Sequence, residues 1–343
     1  MPLVLMYDYT LKPLAELVCR TRRSWVLNQP DEQLGAATLR LSVADPNLGE
    51  ELLRFGNILY IHDGLLPDWA GVVGEPQSFD QAEVSIGATA AETLFDDRRL
   101  DGQTRLEGTP GAVYRQIVRA ASLIAPLGIV EGDIGELGRP VALGVGTHSL
   151  LELIQNLQDK HGGEWGVEPS LSAGRTPVLS AWYRPQTGQD YSGSVALIEG
   201  VNITYADGPI MTRHGRVRND VLVVGSGGKS DTGLRGSASD PASISAYGLR
   251  QEALVENLSS QSSVDSRAAQ EVATSKDPVR RFEVTANNPD IYPYLRIGNT
   301  LGLELTSLGF EAGRRGLTTT VRVIGLATDD ADGEVPLVLE EVS

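Results

Sequence analysis

Residues 221–233, VLVVGSGGKSDTG, set an apolar β-type run before glycines, a lysine and a serine. Those residue types suit phosphate binding, where backbone N–H groups at a helix N-terminus hold the anion and a lysine adds charge. The spacing does not. A P-loop needs Gly, four residues, then Gly-Lys-Ser/Thr. Gly228, Lys229 and Ser230 supply the second half, but the first glycine falls on Val223. A dinucleotide fingerprint counted from Gly225 and Gly227 needs its third glycine at Ser230. Ser226 and Lys229 form S-x-x-K without the helix or partner motifs of acyl-enzyme hydrolases. The following SDTGLRGSASDPAS has no helical periodicity and reads as a loop. The expectation is a strand ending in a Gly-rich loop, with no cofactor and no catalytic residue.

Other candidates for chemistry are sparse. Of the four histidines, His148 and Glu152 share a helix face at i, i+4, but no third ligand is near in sequence, so no metal site is expected. Asp96-Asp97 and Asp329-Asp330 lie in polar stretches, whereas acid/base work needs a carboxyl raised by burial. They read as loop charges. Cys19 is the single cysteine, which excludes an intrachain disulfide framework and a Cys-rich zinc site. Trp25, Trp69, Trp165 and Trp182 each sit in a strand-like run and read as packing residues, with sugar or base platforms as the alternative.

Composition narrows the classes further. The chain has 343 residues, 41% hydrophobic and 22% charged, with 38 Gly and 18 Pro. This fits two or three turn-rich globular domains. Net charge is −16, and only four of 29 basic residues are lysine. No dense basic run exists, which speaks against nucleic-acid or anionic-membrane binding. The start MPLVLMYDYT lacks a basic leader, and the apolar stretches are too short to span a bilayer.

The elements that would position these residues follow from pattern. Residues 2–88 read as short strands. In AATLRLSV, Ala37, Leu39, Leu41 and Val43 alternate on one side, and Asp63-Gly64 turns a hairpin whose return strand starts at Trp69. Thr109-Pro110 starts one helix, with Val113, Ile117, Val118 and Ala121 inward. Ser149 caps another, LLELIQNLQDKH, which Gly162 stops. Residues 243–260 start extended, and a helix follows with Ser263 or Asp265 as cap and Pro278 as its end. Four strands close the chain.

Three stretches taken together resemble a known family. They are WVLNQPDEQLGAATLRLSVADPN…LLRFGNILYIHDGLLPDWAGVV, SLLELIQNLQDKHGGEWGVEP, and RNDVLVVGSGG…SAYGLRQEALVENLSSQSSVDSRAAQEVA…VRRFEVTA…LRIGNTLGLEL. Their order and spacing are similar to tail-hub proteins of long-tailed bacteriophages, the siphovirus Gp37-like group. The family's Gly-Asp at the late turn is Gly298-Asn299 here. The resemblance implies an α+β, β-rich fold with two small tube-type β-barrels and an inserted α/β domain. Residues 1–90 would form the first barrel, completed by strands from 178–226, and 91–177 the insert. Residues 178–343 would return to the first barrel and then form a second, with one helix, over about 240–343.

The implied function is a structural virion protein at the tail tip, made in the host cytoplasm. It would be a homotrimeric hub joining the sixfold tube to a threefold fibre or spike. Its neighbours would be the distal tail protein, the tape-measure protein and the central fibre or spike, and DNA would pass without specific binding. No stable membrane insertion and no lytic activity are carried over. Ser226, Gly227, Gly228, Lys229, Tyr247, Gly248 and Arg250 are the candidate subunit or neighbour contacts, and deleting 227–237 is expected to leave the fold intact. A receptor- or glycan-binding tail component is the alternative, marked by exposed tryptophans in a groove.

Overall fold

The computed structural model describes the chain except residues 1, 28–33, 47, 80–81, 102–103, 125–127, 139, 205–209, 215–216, 226–232, 257, 259, 308–315, 330–332 and 343. It comprises two compact units, Met1–Pro209 with Glu283–Ser343, and Ile210–Phe282. The fold is α+β and β-rich.

Seven strands open the first unit: β1 (Leu3–Tyr7), β2 (Pro13–Leu17), β3 (Arg20–Val26), β4 (Ala36–Ser42), β5 (Ile58–His62), β6 (Trp69–Phe79) and β7 (Glu83–Ala90). They pair in the order β3-β4-β7-β6-β5-β1-β2, every pair antiparallel. Alternate residues supply the core, among them Val4, Met6, Leu39, Leu41, Ile61 and Trp69. Val43 departs from its expected row and is exposed, because the chain turns after Ser42 with Asp45 N–H donating to the Ser42 carbonyl. The opposite faces of β1, β5 and β6 bury Leu5, Tyr7, Ile58, Tyr60 and Val72 in a second core. Strands covered on both faces read as unbroken apolar runs, as LVLMY and ILYI do.

That second core is shared with the insert. It contains β8 (Arg105–Gly108), α1 (Pro110–Ile124), β9 (Ile129–Ile134), β10 (Val141–Gly144), α2 (Leu150–His161), β11 (Glu164–Leu171) and β12 (Pro177–Arg184). Thr109 Oγ1 accepts from Ala112 N–H at 3.2 Å. Ser149 and Glu152 form a reciprocal capping box, and Gly162 ends α2 at φ 72°. The expected inward residues of α1, and Leu150, Leu151, Ile154 and Leu157 of α2, are buried with Trp165 and Tyr183.

The later strands correct the expected domain plan. β12 pairs with β11 and β9, so the α/β layer runs to Arg184. β13 (Ala196–Ile198) and β14 (Ile203–Thr204) pair with strands near the C-terminus. The second unit holds β15 (Ile210–His214), β16 (Asp220–Val224), β17 (Arg235–Ser239), α3 (Pro241–Tyr247), β18 (Gln251–Val255) and α4 (Gln261–Ser275). The strands between 178 and 226 therefore pair elsewhere than with the first seven. β12 is held by its hairpin with β11, and β16 by the small core of the second unit, Val221, Val223, Val264, Ala268 and Val272. The late helix also belongs to this unit. It starts three residues before the expected Ser263, with Ser260 as the cap. SISAY is helical rather than extended, because Asp240 caps the turn and Pro241 has its φ preset for a first helical turn. β17 begins at Arg235, so a deletion of 227–237 would take three of the five residues of this edge strand.

The chain closes with β19 (Val279–Ala286), β20 (Thr300–Leu305), β21 (Leu317–Asp329) and β22 (Val335–Glu341). Their order is β14-β19-β22-β21-β20-β13, and a bridge between Glu199 and Ile203 links β13 to β14. β21 is long enough to serve twice: Gly325–Asp329 also pairs with Val26–Arg22 of β3. One continuous sheet thus joins the two β-layers of the first unit.

Candidate assembly surfaces

Of the expected contact residues, Ser226, Gly227, Gly228 and Lys229 lie outside the described residues. Gly225, just before them, is a packing glycine: a Cβ there would stand 2.7 Å from the Leu258 carbonyl oxygen. Tyr247, Gly248 and Arg250 are brought together on the second unit by one buried residue. Asn219 is fully buried; its Nδ2 donates to the Gly248 carbonyl at 2.8 Å, and its Oδ1 accepts from Arg250 N–H at 2.7 Å. Gly248 takes φ 75°, a left-handed value that leaves α3 and turns the chain into β18. Tyr247 is 40% exposed, and Leu249 and Arg250 are also exposed.

The base of this turn is fixed electrostatically. Lys276 Nζ lies 3.0 Å from Asp240 Oδ2. The Ser243 N–H bond, then Lys276, hold the Asp240 carboxyl below its ordinary range. Beneath it, Arg218, Arg267, Glu256 and Glu271 tie α4 to the sheet; Arg267 spans Glu256 at 2.7 Å and Glu271 at 2.9 Å. These groups have the arrangement of structural ties supporting an exposed aromatic and cationic corner. Tyrosine and arginine are the residue types that protein interfaces favour.

The first unit carries a cleft of about 820 Å³ bounded by the β5–β6 turn, β11, β12 and the Gly298-Asn299 turn. Sequence reasoning missed it, because its walls come from segments as far apart as Trp25 and Arg296. Trp69 and Trp165 are buried, as expected for packing residues, but Trp25 and Trp182 are half-buried and line the cleft. The Arg184 guanidinium lies over the Trp182 ring at 5.2 Å. Asp68 accepts from the Tyr60 hydroxyl and lies 2.5 Å from His62 Nδ1. Below the rim, Arg322 makes a bidentate pair with Glu164 at 2.5 and 2.7 Å and donates to the Thr187 and Gly298 carbonyls. That pair locks β11 of the insert to β21.

The remaining candidates have structural positions. His148 Nδ1 lies 3.3 Å from Glu152, whose carboxylate belongs to the capping box. Asp96 accepts from the Ser149 hydroxyl at 2.8 Å, and Cys19 is buried. Among the described residues no group of three or more His, Cys, Asp or Glu could hold a metal ion, and no helix is long and apolar enough to cross a membrane.

Neither a protein-family model nor a curated protein sequence matches the chain. Solved structures do. The prophage tail protein gp18 of Listeria monocytogenes EGD-e is similar over 99% of this chain and 94% of its own, with a TM-score of 0.64 at 13% identity. The 43 kDa tail protein of prophage MuSo2 from Shewanella oneidensis gives 0.61 over 99% and 98%, also at 13% identity. The chain has the fold of phage tail proteins. The tail-protein fold extends to the E. coli c3393 protein, a type VI secretion component described as similar to the T4 tail proteins gp27 and gp5; it matches 95% of this chain and 74% of its own at a TM-score of 0.53 and 11% identity.

Proposed function

We propose that this chain is a structural hub at the distal end of a phage tail tube. Three copies would form a ring in which two β-layers per chain present six similar positions to the tube, while the other end offers threefold symmetry to a fibre or spike. The observation that carries this reading is the likeness to prophage tail proteins along 99% of the chain. The joining of both β-layers through β21 supports it, since one rigid sheet can set two tube positions at a fixed spacing.

Charge supports the channel. Residues 210–282 hold ten basic and eight acidic residues, net +2, which leaves −18 on the first unit. An acidic lumen lets DNA pass, because adhesion requires cations that neutralise phosphate. The neighbours are then a distal tail protein, a tape-measure protein and a central fibre or spike. The hub needs no chemistry of its own, and its place is the tail tip of the virion. Negative-stain images of the purified protein test the reading. Threefold rings with an open channel are expected; particles without a channel, or a channel wall that is basic in a density map, would refute it.

A further inference from the structure

We propose that the cleft of the first unit, between the β5–β6 turn, the insert and the Gly298-Asn299 turn, binds a neutral saccharide. This goes beyond the hub reading and does not rest on it.

At about 820 Å³ the cleft lies within the size range of small-molecule sites, roughly 300–1,000 Å³. Its walls combine two kinds of group. Trp25, Trp182 and Tyr191 give ring surface; Asp68, Glu168 and Arg296 give hydrogen-bonding groups. A pyranose needs both, since its C–H faces lie against aromatic rings while each hydroxyl can donate and accept. A carboxylate accepts from a hydroxyl, and a guanidinium donates to one.

The rings are held before any ligand arrives. Trp25 Nε1 donates to the Asp68 carbonyl at 3.3 Å. Trp182 lies against Gly166, where a Cβ would approach its ring to 2.7 Å, and it stacks with Arg184. Tyr191 meets Tyr294 edge-on at 5.2 Å. Such fixing lowers the cost of binding.

Arg296 points most directly to a ligand. Its Nη1 is buried and has no hydrogen-bond partner among the described residues. Burial holds its pKa below the usual arginine range, opposed by the nearby Asp68 and Glu168 carboxylates. Arg296 also lines the cleft, where the rest of its guanidinium can donate to a ligand hydroxyl. Charge selects a neutral ligand over an acidic one: Asp68, Glu92 and Glu168 outnumber Arg184 and Arg296 on the walls, within a unit of net −18. A sugar acid or nucleotide would meet a repulsive field.

The test is titration calorimetry and saturation-transfer NMR of the full chain. The probes are neutral tetrasaccharides of glucose, galactose, mannose and N-acetylglucosamine, with tetragalacturonate as the acidic comparison. We expect at least one neutral probe to bind with Kd of about 1 mM or tighter. Arg296→Met and Glu168→Gln should each weaken it about tenfold, with the melting midpoint unchanged. Failure of every neutral probe at about 10 mM, tighter binding of tetragalacturonate, or full affinity in both variants would overturn the proposal. Ring formation is read separately by imaging, so either reading can fail alone.

Discussion

Asn299 shows how one atom type can be demanded by its surroundings. Its Oδ1 accepts from Gln189 N–H, and its Nδ2 donates to the Tyr294 carbonyl, both at 2.8 Å. An aspartate keeps the first bond and turns an oxygen against a carbonyl in place of the second. We predict that Asn299→Asp costs about 2 kcal/mol of the first unit's stability by urea denaturation. Arg322 is a second case. Arg322→Ala strands the Glu164 carboxylate in a site where it is 14% exposed, and should cost about 3 kcal/mol, more than replacing both partners together. Neither role is visible in sequence: the two charges are 158 residues apart, and an Asn in a Gly-Asn pair reads only as a turn. By contrast the Ser149 cap was readable, because a cap and the helix it starts lie side by side in the chain; its reciprocal partner Glu152 closes the box within four residues. Titration follows from the same local bonds. Backbone N–H groups of Ser243 and Ser149 hold the Asp240 and Glu152 carboxyls below their ordinary values. Groups so depressed give stability that is complete above their unfolded values of about 4 and disappears as pH falls through the lower folded ones. The melting midpoint should therefore be level in these two contributions from about pH 5 to 7 and decline below about pH 4.

At the scale of elements, the strands within residues 2–88 and both helices of the insert were readable because each carries its period within one segment, whereas β8, β9 and β10 of the insert were not. The exceptions have physical causes. α3 is one short helix of seven residues, and too few apolar positions mark it; its cap and Pro241 carry the signal instead. The pairing of β3 with β21 joins segments about 300 residues apart, which no local pattern specifies. The Gly-rich segment was expected to bear little core, yet Arg235–Ser239 forms β17 and Gly236 abuts α4, where a Cβ would lie 2.7 Å from Asp265 N. Deleting 227–237 should therefore unfold the second unit. Every tryptophan lies in the first unit. The deletion should then remove part of the helical circular-dichroism signal while leaving the tryptophan fluorescence transition in place. A full-strength helical signal would show that β17 is dispensable.

At the scale of the molecule, composition pointed to an acidic, β-rich, multi-domain chain, and the ordered set of stretches pointed to tail proteins. The partition of charge needed the structure, since the near-neutral second unit is bounded by contacts rather than by any composition shift. A ring of three such chains requires head-to-tail contacts that close, and a −18 unit repels its copies unless specific interfaces override that repulsion. Association should therefore strengthen as salt rises from about 0.05 to 0.5 M, where the screening length becomes shorter than about 5 Å. The most direct test of the hub is the mass of the purified protein by light scattering across concentration at the higher salt. The account predicts a species of three times the 36.7 kDa chain. A protein that stays at 36.7 kDa up to millimolar concentration would contradict it.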